Sequence, residues 1–329
     1  IRQIPGMTGV VTALYTVPVG EVWPEDEVAR LHDYVTSHGL EMEVIESVPV
    51  SEDIKLHRGD YKRHIENFKE NIRILSRHGV KCICYNFMPV FDWTRSQLDH
   101  KLPDGSEALV YYKEDVDKLD PTKLTLPGWD ASYKPSEVKE LIEAYKELGE
   151  EGLWANLKYF LEEIIPVARE CDVLMAIHPD DPAWPIFGIP RIITCEKNLD
   201  RFLGLVDDHY NGLTLCSGSL GTNPQNDMVH LVKKYAAMDR IHFAHIRNIK
   251  LVGEESFEES AHYSKCGSLD MFGMIKAYHD AGYTKYIRPD HGRMIWDEKA
   301  KPGYSLYDRA LGSMYITGIW EALDRMENK

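Results

Sequence analysis

The sequence predicts an α/β fold, a (β/α)8 barrel of parallel strands built as one domain over residues 1–329, with the first strand missing from the chain. Two observations carry this. Short runs rich in β-branched and aromatic residues alternate with long stretches of helical periodicity, which is the pattern of βα units feeding a parallel sheet. Four of the runs, AIHPDD, LTLCSGS, FAHIRN and RPDHGR, each end in a residue able to bind a transition metal. A parallel barrel turns all its strand ends toward one mouth, so residues far apart in sequence converge there.

Taken in order, strands are predicted at 8–14 (TGVVTAL), 41–48 (EMEVIESV), 80–88 (VKCICYNFM), 173–179 (VLMAIHP), 213–218 (LTLCSG), 241–248 (IHFAHIRN) and 286–291 (YIRPDH). Helical periodicity covers 24–38, 61–78, 137–170, 196–210, 226–238, 268–281 and 305–327. Seven strands are one short of a closed barrel, and the chain opens at Ile1 in a segment that reads as the tail of a helix, so an upstream strand is expected. Residues 92–135 break the rhythm, being polar, punctuated by Pro and Gly and without a clear period. Long βα insertions of this kind form lids or subunit contacts at a barrel mouth, and that is the expectation here. No internal repeat, linker or low-complexity tract divides the chain.

A hydrophobic fraction of 43% supports a sizeable core. No run approaches the roughly 18 apolar residues of a membrane span, and the chain does not open on a signal-peptide pattern, so a soluble, cytoplasmic protein without membrane partners is expected. The formal charge of −15 argues against a nucleic-acid partner, which needs clustered Lys and Arg. An anionic substrate then needs local positive charge, from a metal ion and from arginines near the mouth such as Arg247 and Arg293. The six cysteines lie mostly inside apolar runs, as at Cys82, Cys84 and Cys216, and read as reduced thiols.

Side chains two apart on a strand share a face. In 241–248, His245 and Arg247 therefore share the face of Phe243, whereas His242 points the other way as a structural residue. His178 shares its face with Leu174 and Ala176, which are compact enough for a barrel interior. Cys216 follows Thr214 by two and precedes the Ser217-Gly218 turn, and Asp290 closes the last strand. Taken singly, a strand-end histidine is more often a hydrogen-bonded core group and a strand cysteine a small hydrophobe. Four such residues at successive strand ends favour a mononuclear metal site made by His178, Cys216, His245 and Asp290. Two imidazoles, a thiolate and a carboxylate suit borderline metals and admit harder ones, leaving Zn, Mn, Fe, Co and Ni open. CSGSLGTN lacks the spacing of a phosphate-binding loop, and the chain has no HExxH, paired CxxC or GxSxG motif.

Beside Asp290 lie His291, Arg293, Tyr304 and Tyr307, candidates for base, anion clamp and acid. The plainer reading is core packing for the tyrosines, three apart on one helix face, and a hydrogen-bonding role beside the metal for His291. Asn86, Asp92, Trp93 and Arg95, in YNFMPVFDWTRS, are candidate substrate contacts or anchors of the inserted segment.

IPGMTGVVTALYTVPVGEVW, CYNFMPVFDWTR, AIHPDDPAWPIFGIPRI, LCSGSLGTNPQND, HFAHIRN and RPDHGRMIWD…PGYSLYDRALG together resemble the mannonate dehydratase family of xylose-isomerase-like barrels over nearly the full length. The resemblance implies loss of water from D-mannonate to give 2-keto-3-deoxy-D-gluconate, as in hexuronate (glucuronate) catabolism. It implies a Mn2+-preferring site of His178, Cys216, His245 and Asp290, with Fe2+, Co2+, Ni2+ and Zn2+ as alternatives. His291 is then the base that takes the C2 proton and Tyr304, preferred to Tyr307, the acid at the C3 hydroxyl. Asn86, Trp93, Arg95, Arg247, Arg293 and Tyr307 are left to bind a small sugar acid, and a homo-oligomer is expected. The rival readings are a related metal-dependent sugar isomerase and a metal-stabilised binding protein without catalysis. Two His and a Cys tell against the first, whose sites are usually dominated by carboxylates.

Overall fold

A computed structural model of the protein describes residues 1–121 and 135–327. In chain order its elements are β1 (Gly9–Thr12), α1 (Glu25–Ser37), β2 (Glu41–Glu46), α2 (Glu52–Leu56), α3 (Tyr61–Arg77), β3 (Cys82–Tyr85), β4 (Gln97–Lys101), β5 (Glu107–Tyr111) and α4 (Lys113–Val116). These are followed by α5 (Pro135–Glu170), β6 (Leu174–Ile177), α6 (Glu196–Leu205), β7 (Asn211–Cys216), α7 (Ser217–Gly221), α8 (Met228–Ala237) and β8 (Ile241–His245). The last are β9 (Ile249–Gly253), β10 (Ser256–Glu259), α9 (Met271–Asp280), β11 (Tyr286–Arg288) and α10 (Leu306–Glu327).

All seven strands expected from sequence pair in parallel, in the order β1-β2-β3-β6-β7-β8-β11. Strand alternation sorts their side chains into two cores. Ile45, Ile83, Met175, Ile177, Leu213, Leu215 and Ala244 face the helices. Val44, Cys82, Cys84, Ala176 and Phe243 form a separate inner cluster, joined by Val11 of β1 and Tyr286 of β11. Because the first and last strands of the sheet meet on one interior cluster, the sheet is curled into a barrel wall. Two contacts reach across that curl: the Tyr286 hydroxyl donates to Glu43 Oε2 at 2.9 Å, and Arg288 Nη1 lies 2.6 Å from Glu46 Oε2. Each fully buried aliphatic side chain in these layers contributes roughly 1.5–3 kcal/mol. Helix starts follow local chemistry, with the carboxylates of Asp227 and Asp270 accepting from the N–H groups of His230 and Gly273 at the heads of α8 and α9.

Residues 92–121 are more ordered than their composition predicts. β4 and β5 form an antiparallel hairpin turned at Asp104-Gly105, with Gly105 at φ 85°, and it joins β10 and β9 in a second sheet of order β4-β5-β10-β9. Asp-Gly between two short strands is a hairpin signal, so part of this was legible. The strands at Ile249–Gly253 and Ser256–Glu259 were not expected, because KLVGEESFEES is charged and nearly devoid of β alternation. Residues 122–134, within the stretch assigned as a lid or subunit contact, lie outside the described residues. No helix among the described residues is long and apolar enough to cross a membrane.

Candidate metal centre and active site

Register carries the four ligand candidates to one place. Cys216 of β7 pairs with His245 of β8, and His245 pairs with Arg288 of β11, so these strand ends lie level around the mouth. His178 follows β6 directly, and Asp290 follows β11 at φ 59°, a left-handed conformation that Asp tolerates better than most residues and that clusters at functional sites. The ligand atoms of His178, Cys216 and His245 all lie within 4.8 Å of one another. Asp290 adds one oxygen 3.6 Å from Cys216 Sγ and the other 3.6 Å from His245 Nδ1.

The donor chemistry fits a cation. His245 is wholly buried, yet neither of its ring nitrogens has a hydrogen-bond partner. A buried imidazole left this way costs free energy that a bound divalent ion would recover. His178 Nδ1 sits 2.7 Å from the Pro179 carbonyl, which can only accept, so the ring proton is on Nδ1 and the Nε2 lone pair is left for a ligand role. The Cys216 sulfur accepts from the Ser219 N–H at 3.4 Å and the Ser219 hydroxyl at 3.2 Å, contacts that hold it in place at the strand end. Burial acts to raise the Asp290 carboxyl, but His291, His245, Arg288 and Arg247 outweigh it and hold the group well below the usual range.

Glu46, which the sequence pattern did not single out, completes the floor of the site. Its Oε2 lies 3.4 Å from His245 Nε2 and 2.6 Å from Arg288 Nη1. Burial opposes its ionisation, but Arg288 and His245 overcome that and keep the carboxyl at about 2. A glutamate closing a strand at the same end as the other ligands was the available signal. Arg288, on the strand just before Asp290, was missed likewise, as was Asp181 in the HPDD run.

Above these groups opens a cavity of about 930 Å³. His178, Asp290, His291, Tyr304, Asn86, Trp93 and Arg247 all contribute to its wall, together with Glu46, Asp181 and Arg288. The His291 ring meets those of Tyr304 and Trp93 edge to face, with centroids 5.3 and 5.8 Å apart. Burial raises the Tyr304 phenol further above its ordinary range, so it stays protonated. Three residues predicted to touch substrate lie elsewhere. Arg95 is fully buried off the cavity wall, donating to both oxygens of Asp181 (2.8 and 3.1 Å) and to Glu259 (2.7 Å). Arg293 is held by Asp308 and Asp104, and Tyr307 is 46% exposed beside Trp296. An arginine's buried partners cannot be read from a single sequence, and Tyr304, in the turn before α10, lines the cavity, whereas Tyr307, in the helix's first turn, is exposed.

Arg247 depends on a glycine. A Cβ at Gly218 would stand 1.7 Å from Arg247 Nε, so Gly218→Ala has to drive the guanidinium from its partners Asp181 (2.8 Å) and Asp290 (3.3 Å). We expect a destabilisation of about 3–5 kcal/mol, the usual cost of breaking a buried ion pair, measured as a lowered denaturant midpoint. An unchanged midpoint means that Arg247 has a second resting place.

Comparison with known proteins shows the family of the chain. A family model for D-mannonate dehydratase (UxuA) matches residues 1–329. Mannonate dehydratase 2 of Halalkalibacterium halodurans is 55% identical over 325 residues, covering 98% of this chain and 94% of that protein. The mannonate dehydratase of Thermotoga maritima is 54% identical over 340 aligned positions, covering 100% and 94%. The crystal structure of mannonate dehydratase from Streptococcus suis serotype 2 superposes with a TM-score of 0.93 at 47% identity, covering 100% of this chain and 91% of that one. A xylose isomerase-like TIM barrel protein from Mycobacterium smegmatis, solved in complex with magnesium, reaches 0.54 at 14% identity over 96% and 85% of the two chains, and shares the fold alone. Matched from end to end by the family model and at more than half of its positions by these relatives, the chain belongs to the D-mannonate dehydratase family, a family of hydro-lyases.

Proposed function

We propose that this chain removes water from D-mannonate to give 2-keto-3-deoxy-D-gluconate, as the cytoplasmic hydro-lyase step of hexuronate (glucuronate) breakdown. The observation that carries the proposal is the buried His245 imidazole, without a hydrogen bond at either nitrogen, set among Cys216, His178 and Asp290 beneath a cavity walled by His291 and Tyr304. We assign His178, Cys216, His245 and Asp290 as the residues that would hold a divalent ion, Mn2+ in first place and Fe2+, Co2+, Ni2+ or Zn2+ as alternatives. Such an ion supplies positive charge against the negative charge that builds beside the substrate carboxylate as the C2 proton leaves.

His291 is the base in this reading. Its Nδ1 is engaged by Arg247 Nη1 at 2.8 Å and Glu259 Oε1 at 3.1 Å, which leaves Nε2 to face the substrate. Imidazole has the unperturbed pKa suited to base catalysis near neutrality. The C2–H bond breaks toward Nε2, its electron pair forms the C2–C3 double bond, and the C3–O bond breaks as the Tyr304 phenol protonates the departing hydroxyl to water. The enol then tautomerises: C3 takes a proton from the imidazolium and the enol hydroxyl returns one to the phenolate, restoring both groups without a redox cofactor. Asn86, Trp93 and Arg247 on the cavity wall bind the sugar acid. The free cysteines support a cytoplasmic setting, and the exposed Trp296, Leu311 and Met314 on and beside α10 support a homo-oligomer.

The test is to strip the protein with chelator, restore divalent ions one at a time, and follow the 2-keto-3-deoxy acid formed from D-mannonate. Product that returns with metal, Mn2+ giving most, is the expected result. Wild-type protein inactive with every ion would overturn the proposal and move the substrate to another hydroxy acid or sugar on the same site.

A further inference from the structure

We propose that Glu259, carried to the barrel mouth by the second sheet, is a positioning residue for His291: it keeps the imidazole proton on Nδ1, so that Nε2 meets the substrate as a lone pair. The inference rests on the assignment of His291 as base. Glu259 is the last residue of β10 and is only 3% exposed. Its strand is clamped between β9 and β5, and two residues before it the Phe257 ring stacks on Tyr111 with centroids 5.9 Å apart. Oε1 of Glu259 lies 3.1 Å from His291 Nδ1, 2.7 Å from Arg95 Nη2 and 3.5 Å from Arg247 Nη1.

Two groups of opposite demand thus meet one ring nitrogen. Arg247 Nη1, 2.8 Å from Nδ1, is a donor and calls for a lone pair there. Glu259, an acceptor, calls for an N–H. The two are unequal, because Arg247 can give its protons to Asp181 and Asp290 instead, whereas Glu259 Oε1 has lone pairs enough to accept from Arg95 and from the ring N–H together. Once the ring accepts the C2 proton it becomes a cation, which Arg247 repels and Glu259 stabilises. Without the carboxylate, Arg247 alone would address Nδ1 and send the proton to Nε2, the form that cannot act as a base. A carboxylate behind a catalytic imidazole fixes its tautomer in the same way in serine proteases. Arg95, balanced by Asp181 and touching the Phe257 ring face at 4.8 Å, fixes the other side of Glu259. The second sheet therefore has a chemical role, because the hairpin inserted between β8 and β11 delivers the acid.

The experiment is a double-mutant cycle in kcat on D-mannonate with metal-loaded enzyme. Glu259→Gln is expected to lower kcat on the order of 10²-fold, within the range of base catalysis, with metal content unchanged and KM little moved. In the His291→Asn background the same substitution should cost less than about threefold, because residues acting as one unit are not additive. A further 10²-fold loss in that background, or a Glu259→Gln enzyme as fast as wild type, overturns the proposal. Should the Gln variant not fold, Glu259→Asp, which keeps the charge and withdraws it by one methylene, takes its place in the same cycle, with a smaller loss expected that again vanishes in the His291→Asn background. Wild-type enzyme inactive on D-mannonate with every metal defeats the parent reading instead, a different outcome.

Discussion

His291→Asn should retain the metal and lower kcat by about 10²–10⁴-fold, the contribution typical of a general base. Asparagine is chosen because its amide keeps a polar group between Arg247 and Glu259, the partners of Nδ1, and so limits damage to the buried ion network. What it lacks is a basic nitrogen where Nε2 stands. The neighbouring Asp290 keeps both of its arginine contacts, Arg288 at 2.5 Å and Arg247 at 3.3 Å. Metal content by elemental analysis should therefore match wild type while turnover falls. Full activity in a metal-replete variant would remove His291 from the chemistry. Equal loss of metal and activity would instead make it a support for Asp290.

The contrast between what was and was not legible follows from the range of the interactions. Strand alternation is local, so the inward set of Phe243 and His245, and the outward His242 whose Nε2 bonds the His209 carbonyl, were readable from sequence spacing alone. The convergence of His178, Cys216, His245 and Asp290 was readable because a parallel barrel brings its strand ends level, a property of topology. Ion pairing is neither local nor topological. Arg95 looks like a substrate clamp in DWTRS, but it meets Asp181 and Glu259, residues 86 and 164 positions away, one of them on a strand with no usable period. Glu46 lies inside the strand predicted at 41–48, where the pattern EMEVIESV does not set it apart from Glu41 and Glu43. Here burial and the distance to Arg288 mark it, and neither is visible in one sequence.

Cys216→Ser isolates metal affinity from folding. Residue 216 is fully buried, and serine nearly matches cysteine in size while its oxygen can accept the same Ser219 N–H, so the metal-free protein should fold as well as wild type. A serine hydroxyl, however, stays protonated where a thiol ionises, and it is a harder donor. Removing the thiolate should weaken binding of borderline ions by at least about 100-fold, since even partners that only touch the ligands are worth 10–100-fold. The loss is readable without any assay of turnover. At a free ion concentration of about 100 Kd, binding to the folded state stabilises wild type by about 2.7 kcal/mol, whereas a site 100-fold weaker gains only about 0.4 kcal/mol from the same solution. Thermal melts with and without metal should thus converge for the variant and stay apart for wild type, and activity should return only at high metal, for Mn2+ more readily than for Zn2+ or Ni2+. Equal metal-induced stabilisation in both proteins would take Cys216 out of the ligand set and leave His178, His245 and Asp290 to hold the ion.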